Sequence, residues 1–161
     1  FATGNSQLKF LDALTKLGNI DWSRIICFHL DEYLGISENH SSSFRYYLRE
    51  HIEKLISPQK FHYIEGDTLE PLQECKRYSE LLVAQEINLC MLGIGANGHL
   101  AFNEPTVANF KDSYTVKLVK LDSVNQLLEG NITEEFPASI LRKQTQANLL
   151  LDAESASLIN S

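Results

Sequence analysis

Residues 24–35 read RIICFHLDEYLG, an apolar run followed directly by two adjacent carboxylates. The apolar part predicts a buried strand, because a strand that is covered on both faces needs no alternation with polar side chains. Asp31 and Glu32 then stand at the carboxyl end of this strand. Open parallel sheets bind their ligands at that edge, so the stretch predicts both an α/β protein and the place of its site.

Apolar runs and helical patterns alternate on both sides of this stretch. We predict helices in residues 6–18, 41–57 and 71–85, strands in residues 24–30, 60–66, 87–95 and 114–121, and the end of a further strand at residue 1. The serines before the second helix and Pro71 at the start of the third are typical of helix N-termini. The alternation predicts a mostly parallel sheet with helices on both faces, joined by right-handed crossovers.

Two more segments follow predicted strands and should open on the same sheet edge as Asp31. The first, ATGNS (residues 2–6), is a loop of small residues before a helix. Its backbone N–H groups suit an anion such as phosphate, or it is an ordinary turn between a strand and a helix. The second, GIGANGHLAFNEP (residues 93–105), has glycines that permit tight turns and would let His99 project into the cleft, although a turn histidine can also be structural.

These three segments together indicate a chemistry. A carboxylate, a histidine and a second carboxylate that converge from different strand ends can carry general acid–base catalysis. The carboxylates are Asp31 or Glu32 on one segment and Glu104 on another. The sequence therefore predicts proton transfer beside a site for an anionic group.

The composition argues against several other classes of protein. The 161 residues carry a formal net charge of -7 at pH 7 and show no basic cluster, which argues against nucleic acid as a partner. No apolar stretch approaches the roughly 20 residues that span a bilayer, and no signal peptide is recognisable, so we expect no membrane partner and a cytoplasmic setting. Residues 1–161 are expected to form a single domain. Three cysteines without CxxC spacing, Cys27, Cys75 and Cys90, are expected to be buried thiols.

FHLDEYLG, GIGANGHLAFNEP and ATGNS together resemble motifs of the glucosamine-6-phosphate deaminase (isomerase) family, which is related to the 6-phosphogluconolactonases. The resemblance extends from residue 1 to about residue 120. It implies a modified Rossmann-like fold and the conversion of glucosamine 6-phosphate and water to fructose 6-phosphate and ammonia, with no metal and no organic cofactor. It also implies a strand and a helix before the first loop, so the domain is expected to be incomplete at its N-terminus and at its C-terminus.

The resemblance also implies roles for single residues. Asp31 is the base that moves a proton between C2 and C1 of the opened sugar, His99 is the acid–base that opens the ring, and Glu104 supports His99. Asn97 stands where many family members have an acid, and it could orient the imidazole by a hydrogen bond. Substrate binding is expected from Thr3, Gly4, Asn5 and Ser6 in the phosphate loop, and from Glu32, Gly95 and Gly98.

Some positions and activities stay open at this point. Arg142 and Lys143 are candidates for the phosphate site by residue type alone, and His29 is either a core histidine or part of the cleft. The same reaction on galactosamine 6-phosphate is an alternative. A 6-phosphogluconolactonase is another, although its relatives tend to read SDERW and GHTASLFP where this chain reads LDEYLG and GHLAFNEP, which favours deamination. A non-catalytic paralogue that binds sugar phosphates is the third. The expected partner is a phosphorylated amino sugar, and the sequence allows a homo-oligomer.

Overall fold

The structure of the protein, a computed structural model, describes residues 1–95 and 98–120. The chain divides into two compact units, the first made of residues 1–93 and 112–118 and the second of residues 94–111 and the residues from 119 onward. The predictions for Asn97, Arg142 and Lys143 lie outside the described residues.

The first unit holds the helices and strands that the structure describes. These are the 3-10 turns Asn5–Gln7 and Trp22–Arg24, the helices α1 (Leu8–Thr15), α2 (Phe44–Leu48) and α3 (Pro71–Val83), the strands β1 (Ile26–Phe28) and β2 (Lys60–His62), and a π-helical segment (Arg49–Glu53) that continues α2. As predicted, Pro71 begins α3. The predicted serine cap of α2 is Ser43, whose hydroxyl accepts a hydrogen bond from the N–H of Tyr46.

The strands are parallel, as the alternation of elements predicts. β1 pairs with β2 with Cys27 opposite Phe61. On the other side of β1, the nitrogen of Phe1 donates to the carbonyl of Phe28 at 2.8 Å, and the N–H of Leu30 donates to the carbonyl of Phe1 at 3.1 Å. This pair of bonds is the pattern of a parallel neighbour. The predicted strand end at residue 1 therefore lies beside the carboxyl end of β1.

Helices cover β1 and β2 on both faces. Cys27 and Phe61 belong to a buried apolar cluster that α1, α2 and the π-helical segment complete. The other members of the cluster are Leu11, Leu48, Ile52 and Ile56. Phe28 and His62, the next pair in register, stack with 4.9 Å between ring centroids, and Phe28 meets the ring of Tyr78 in α3 edge-on. Since side chains along a strand alternate between its faces, α1 and α2 lie on one face and α3 on the other.

The predicted strand in residues 87–95 is wrong for the run INLCML, which forms no regular strand. A run of apolar residues becomes a buried strand only where its backbone finds ladder partners. Within the described residues, residues 87–92 have one such bond, from the N–H of Ala2 to the carbonyl of Met91 at 3.1 Å. Leu89 is accordingly 72% exposed. The sequence predicts that all three cysteines are buried. This is confirmed for Cys27, but Cys75 is half-buried and Cys90, which lies in this run, is exposed.

The strand predicted from residue 114 is also wrong where the structure describes it. The carboxylate of Asp112 accepts the N–H of Tyr114 at 2.9 Å and contacts the ammonium of Lys117. The hydrogen bond from Tyr114 to Asp112 forms a local turn of the kind that Asp favours, and such a turn competes with the backbone hydrogen bonds of a strand.

In the described part of the chain, no helix is long and apolar enough to cross a bilayer.

Candidate active site

Asp31 lies just beyond the carboxyl end of β1, where the sequence places the predicted base. Its carboxylate is partly buried, and within the described residues it accepts no hydrogen bond. Burial, reinforced by the adjacent charge of Glu32, raises the pKa of Asp31 to about 7. A carboxylate with this pKa can both take up and give back a proton near neutral pH, as a base that moves a proton between two carbons must.

Glu32, the second carboxylate of this segment, caps helix α2. One carboxylate oxygen accepts the N–H of Phe44 at 3.1 Å, and the other accepts the hydroxyl of Ser43 at 2.7 Å and the N–H of Arg45 at 2.9 Å. The side chain of Glu32 has no exposed surface. These contacts give Glu32 a structural role at the N-terminus of α2, and its predicted contact with substrate stays a prediction.

The segment that contains both carboxylates, which we call the base loop (residues 31–35), is held from a second side. The guanidinium of Arg45 lies 2.8 Å from a carboxylate oxygen of Asp67 and also donates to the carbonyl of Ile36. A Cβ atom added at Gly66 would lie 2.5 Å from the carbonyl oxygen of Tyr33, so only glycine permits this close approach of the two loops. The base loop is thus fixed between α2 and the chain that follows β2.

The phosphate loop (residues 3–6) leads directly into the 3-10 turn before α1. Gly4 has φ 109°, a conformation that glycine adopts without strain. Its carbonyl accepts two hydrogen bonds, from the N–H of Gln7 at 3.0 Å and from the hydroxyl of Tyr47 at 2.9 Å. The backbone N–H groups of Gly4, Asn5 and Ser6 meet no acceptor among the described residues. Such N–H groups at the start of a helix suit an anion, and the roles predicted for Thr3, Gly4, Asn5 and Ser6 stay a prediction.

Gly93 brings the end of the INLCML run close to the phosphate loop. A Cβ atom added at Gly93 would lie 3.4 Å from the side-chain nitrogen of Gln7 and 3.7 Å from the hydroxyl oxygen of Ser6. Together with the bonds of Phe1, this contact brings the ends of three chain segments to one edge of the first unit. That edge is where the sequence predicts the ligand.

The second unit contains the predicted pair of His99 and Glu104. A turn is closed by the N–H of Gly98, which donates to the carbonyl of Gly95 at 2.9 Å, and Gly98 has φ 78°. An antiparallel bridge between Ile94 and Leu100 follows the turn. Nδ1 of His99 lies 3.2 Å from a carboxylate oxygen of Glu104. A carboxylate at Nδ1 favours the tautomer of the ring that carries its proton on Nδ1.

Gly95 makes room for the imidazole of His99, and its predicted contact with substrate stays a prediction. A Cβ atom added there would collide with three atoms of the His99 ring. The N–H of Gly95 also donates to the carbonyl of His99 at 3.0 Å. Glu104 is buried, at 7% exposure, and its carbonyl accepts the N–H groups of Val107 and Ala108. The ring of His99 is therefore packed between a glycine backbone and an anchored carboxylate.

His29 is a core histidine, which was one of the two interpretations that the sequence allowed; the other was a place in the cleft. The side chain is 2% exposed, and its Nδ1 accepts the N–H of Ile64 at 3.4 Å. Burial, with nearby positive charge that includes Arg45, lowers the pKa of His29 to about 3. His29 is therefore neutral near pH 7 and packs beside the ring of Tyr63.

The roles of four residues around the site could not be predicted from the sequence, because their partners are between 9 and 43 residues away along the chain. These residues are Arg45, Tyr47, Gly66 and Asp67. Only the serine cap beside them could be read from the local pattern. In the described part of the chain, no group of three or more His, Cys, Asp or Glu side chains is placed to hold a metal ion; the expectation of a reaction without metal or cofactor stays a prediction.

Known proteins resemble the chain in sequence and in structure. A family model described as glucosamine-6-phosphate isomerases/6-phosphogluconolactonase matches residues 2–113. The chain is 27% identical to a glucosamine-6-phosphate deaminase of Oenococcus oeni over 203 aligned positions, which cover 99% of the chain and 85% of the relative. It is 28% identical to glucosamine-6-phosphate deaminase 2 of Bacillus subtilis, with the same coverage of 99% and 85%.

A solved structure of a monomeric glucosamine-6-phosphate deaminase matches with a TM-score of 0.87 and 27% identity, and it covers 99% of this chain and 86% of that chain. This likeness confirms the α/β, Rossmann-like fold class predicted from the sequence.

Proposed function

The chain belongs to the family of glucosamine-6-phosphate isomerases and 6-phosphogluconolactonases, and we propose that it converts glucosamine 6-phosphate and water to fructose 6-phosphate and ammonia. The observation that carries the proposal is the position of Asp31, a carboxylate that titrates near neutral pH at the ligand edge of a parallel sheet. The similar proteins named above are glucosamine-6-phosphate deaminases, which supports deamination over lactone hydrolysis.

The reaction begins with opening of the sugar ring. His99 takes the proton of the C1 hydroxyl at Nε2 and returns a proton to the ring oxygen, so the pyranose becomes the open aldehyde. The carboxylate of Glu104, 3.2 Å from Nδ1, stabilises the imidazolium that forms between the two transfers.

Proton transfer between carbons follows. Asp31 removes the proton from C2, which is acidic because it lies beside the C1 carbonyl. The electrons form a double bond between C1 and C2 while the C1 oxygen takes a proton from the ammonium group of the substrate, which gives an enolamine. Asp31 then delivers its proton to C1, which leaves a protonated imine at C2. Water adds to this imine and ammonia departs, so one water is consumed and one ammonia is released for each fructose 6-phosphate.

The phosphate loop is proposed to hold the 6-phosphate of the substrate. Its N–H groups need an acceptor, and hydrogen bonds to an ionised acceptor are roughly twice as strong as neutral ones. The substrate class is therefore a phosphorylated amino sugar, and the unphosphorylated sugar should bind far more weakly.

Measurement of ammonia release on a panel of substrates tests the proposal. We expect turnover of glucosamine 6-phosphate and little or none of glucosamine. Galactosamine 6-phosphate and 6-phosphogluconolactone test the two related activities in the same assay series, with acid release as the readout for the lactone. Hydrolysis of the lactone without deamination of either amino sugar would overturn the proposal, and so would tight sugar-phosphate binding without any turnover.

A further inference from the structure

We propose that helix α2 positions the base loop and the phosphate loop together, with Glu32 and Tyr47 as the positioning residues at the two loops. This inference rests on the proposed function, since it concerns the same site. Neither residue is expected to touch the reacting atoms. Each acts through a loop that does.

The first end of α2 holds the base loop. Glu32 follows Asp31 directly in the chain, and its carboxylate accepts hydrogen bonds from Ser43, Phe44 and Arg45, the cap and first two residues of the helix. The Glu32 side chain has no exposed surface and accepts three charge-assisted hydrogen bonds, so it is held in one conformation. The backbone of Asp31 is therefore fixed relative to α2.

The same helix reaches the phosphate loop through Tyr47. The hydroxyl of Tyr47 donates to the carbonyl of Gly4 at 2.9 Å. A peptide unit is planar and trans, so its carbonyl and the next N–H point in opposite directions. With the Gly4 carbonyl held toward Tyr47 and Gln7, the N–H of Asn5 is turned away from them, to the side on which an anion can bind.

The body of α2 is rigid enough to connect the two contacts. Two residues of this segment are 0% exposed and belong to the core cluster: Leu48, the last residue of α2, and Ile52 in the π-helical continuation. Arg45, in the first turn, is 5% exposed and paired with Asp67. Movement of α2 would disturb all of these contacts, so the helix behaves as a fixed spacer.

This arrangement meets a requirement of the chemistry. The phosphate of the substrate is on C6, whereas the proton moves between C1 and C2, so the anchor and the base must keep a fixed separation. A displacement of about 1 Å between them can cost about 10²-fold in rate. A single helix that contacts both loops provides that separation.

Tyr47→Phe tests the phosphate end of the proposal. The variant keeps the ring and removes one hydroxyl from a partly exposed site, so the core is untouched. Inorganic phosphate is the probe, measured by calorimetric titration, which needs no turnover. Loss of one hydrogen bond that orients the loop should weaken phosphate binding about 3- to 10-fold and raise KM for glucosamine 6-phosphate by a similar factor, with little change in kcat.

Tyr46→Phe is the matched control. Tyr46 is the neighbouring residue of the same helix, is 37% exposed, and its hydroxyl makes no hydrogen bond within the described residues. Phosphate binding and KM should stay at the wild-type values in this variant. Equal effects of the two substitutions, or no effect of Tyr47→Phe, would overturn the role of Tyr47.

Glu32→Gln and Ser43→Ala test the contact between the base loop and the start of α2. Both weaken the link between Asp31 and α2, and Ser43→Ala is the milder change if Glu32→Gln does not fold. We expect kcat to fall about 10-fold or more for Glu32→Gln and less for Ser43→Ala, while phosphate binding stays close to wild type. A fall in phosphate affinity without a fall in kcat would contradict this assignment.

These experiments distinguish a failure of this inference from a failure of the proposed function. A wild-type protein that binds phosphate but releases no ammonia refutes the deaminase activity, and the titrations of Tyr47→Phe and Tyr46→Phe still decide the role of Tyr47. A wild-type protein that does not bind phosphate refutes the inference directly, because α2 would then have no phosphate loop to position.

Discussion

At the residue scale, burial makes the Asp31 carboxylate both useful and costly. A pKa of about 7 suits a base that must give its proton back, but a charge in a partly buried site opposes folding. The pKa in the folded state lies above the ordinary value of 3.8. The stability contributed by this group is therefore fully present below about pH 4 and is lost as the pH rises through 7.

Asp31→Asn should consequently stabilise the protein while it removes activity. The amide carries no charge, so we expect the variant to melt above wild type at pH 8 and close to wild type at pH 4. Each pKa unit corresponds to about 1.4 kcal/mol, and about 1 kcal/mol raises the melting temperature of a domain of this size by roughly 2–4 °C. Asp12→Asn, at a carboxylate that is 64% exposed, is the control and should change little. A melting temperature of Asp31→Asn at or below wild type at pH 8 would count against the buried charge.

Gly95→Ala should displace the imidazole of His99 and slow the reaction. A Cβ atom at residue 95 has no room beside the ring, so the ring must leave its place at Glu104. We expect kcat for the cyclic substrate to fall about 10- to 100-fold, which steady-state kinetics would measure. Gly18→Ala is the matched control, because no atom lies within 4 Å of a Cβ built there. If both variants have wild-type kcat, the packing of His99 does not matter for catalysis.

The residues around the site differ in how far the sequence could predict them. Asp31 follows an apolar run directly, and His99 follows the glycine-rich turn after another apolar run, so their places at a strand end and at a turn are local properties of the chain. Glu32 has the same local setting as Asp31, but the partners that make it a helix cap begin eleven residues later at Ser43. Only the folded chain shows that one carboxylate caps a helix while the other accepts no hydrogen bond among the described residues. The sequence predicts Gly95 as a special position but not the ring that it accommodates, because that ring belongs to a residue four positions away; its predicted substrate contact stays a prediction.

At the scale of elements, α3 ties the ends of β1 and β2 together through one hydroxyl. Tyr78 is 1% exposed, and its hydroxyl donates to the carbonyl of His29 at 2.7 Å, with the carbonyl of His62 at 3.0 Å. The same oxygen accepts the N–H of His29 at 2.8 Å. This contact lies two residues before Asp31, so it also supports the position of that carboxylate.

Tyr78→Phe should destabilise the fold without changing its apolar packing. The carbonyl of His29 would then be buried without a donor among the described residues, which costs about 1–3 kcal/mol. Urea unfolding gives the free energy, and Tyr46→Phe, with an exposed ring, should stay within about 0.5 kcal/mol of wild type. An equal free energy of unfolding for the two variants would show that the bridge between the strands contributes nothing.

The elements that the sequence predicts correctly are those with a local cause. α3 has proline at its start, and α2 has a serine cap. β1 is part of an apolar run, and β2, with Phe61 at its centre, is its parallel neighbour. The run in residues 87–92 has the same apolar character but only one backbone bond to a neighbour in the described residues. Whether such a run becomes a strand depends on segments elsewhere in the chain, and its own pattern contains no information about them.

At the scale of the whole molecule, the chain keeps the family fold with fewer residues than its relatives. The alignment with the Oenococcus oeni enzyme has 203 positions, whereas the chain has 161 residues, so the relative has residues inside the aligned region that have no counterpart here. The match in fold is nevertheless close, at a TM-score of 0.87 over 99% of the chain.

Ammonia release from glucosamine 6-phosphate, measured at pH 8 for wild type and Asp31→Asn side by side, tests the central claim most directly. We predict that the wild-type protein releases ammonia and fructose 6-phosphate in equal amounts. Asp31→Asn should be folded and at least about 10²-fold slower, because the amide cannot accept the proton from C2. A folded wild-type protein that releases no ammonia, or an Asp31→Asn variant that keeps most of the wild-type rate, would contradict the account.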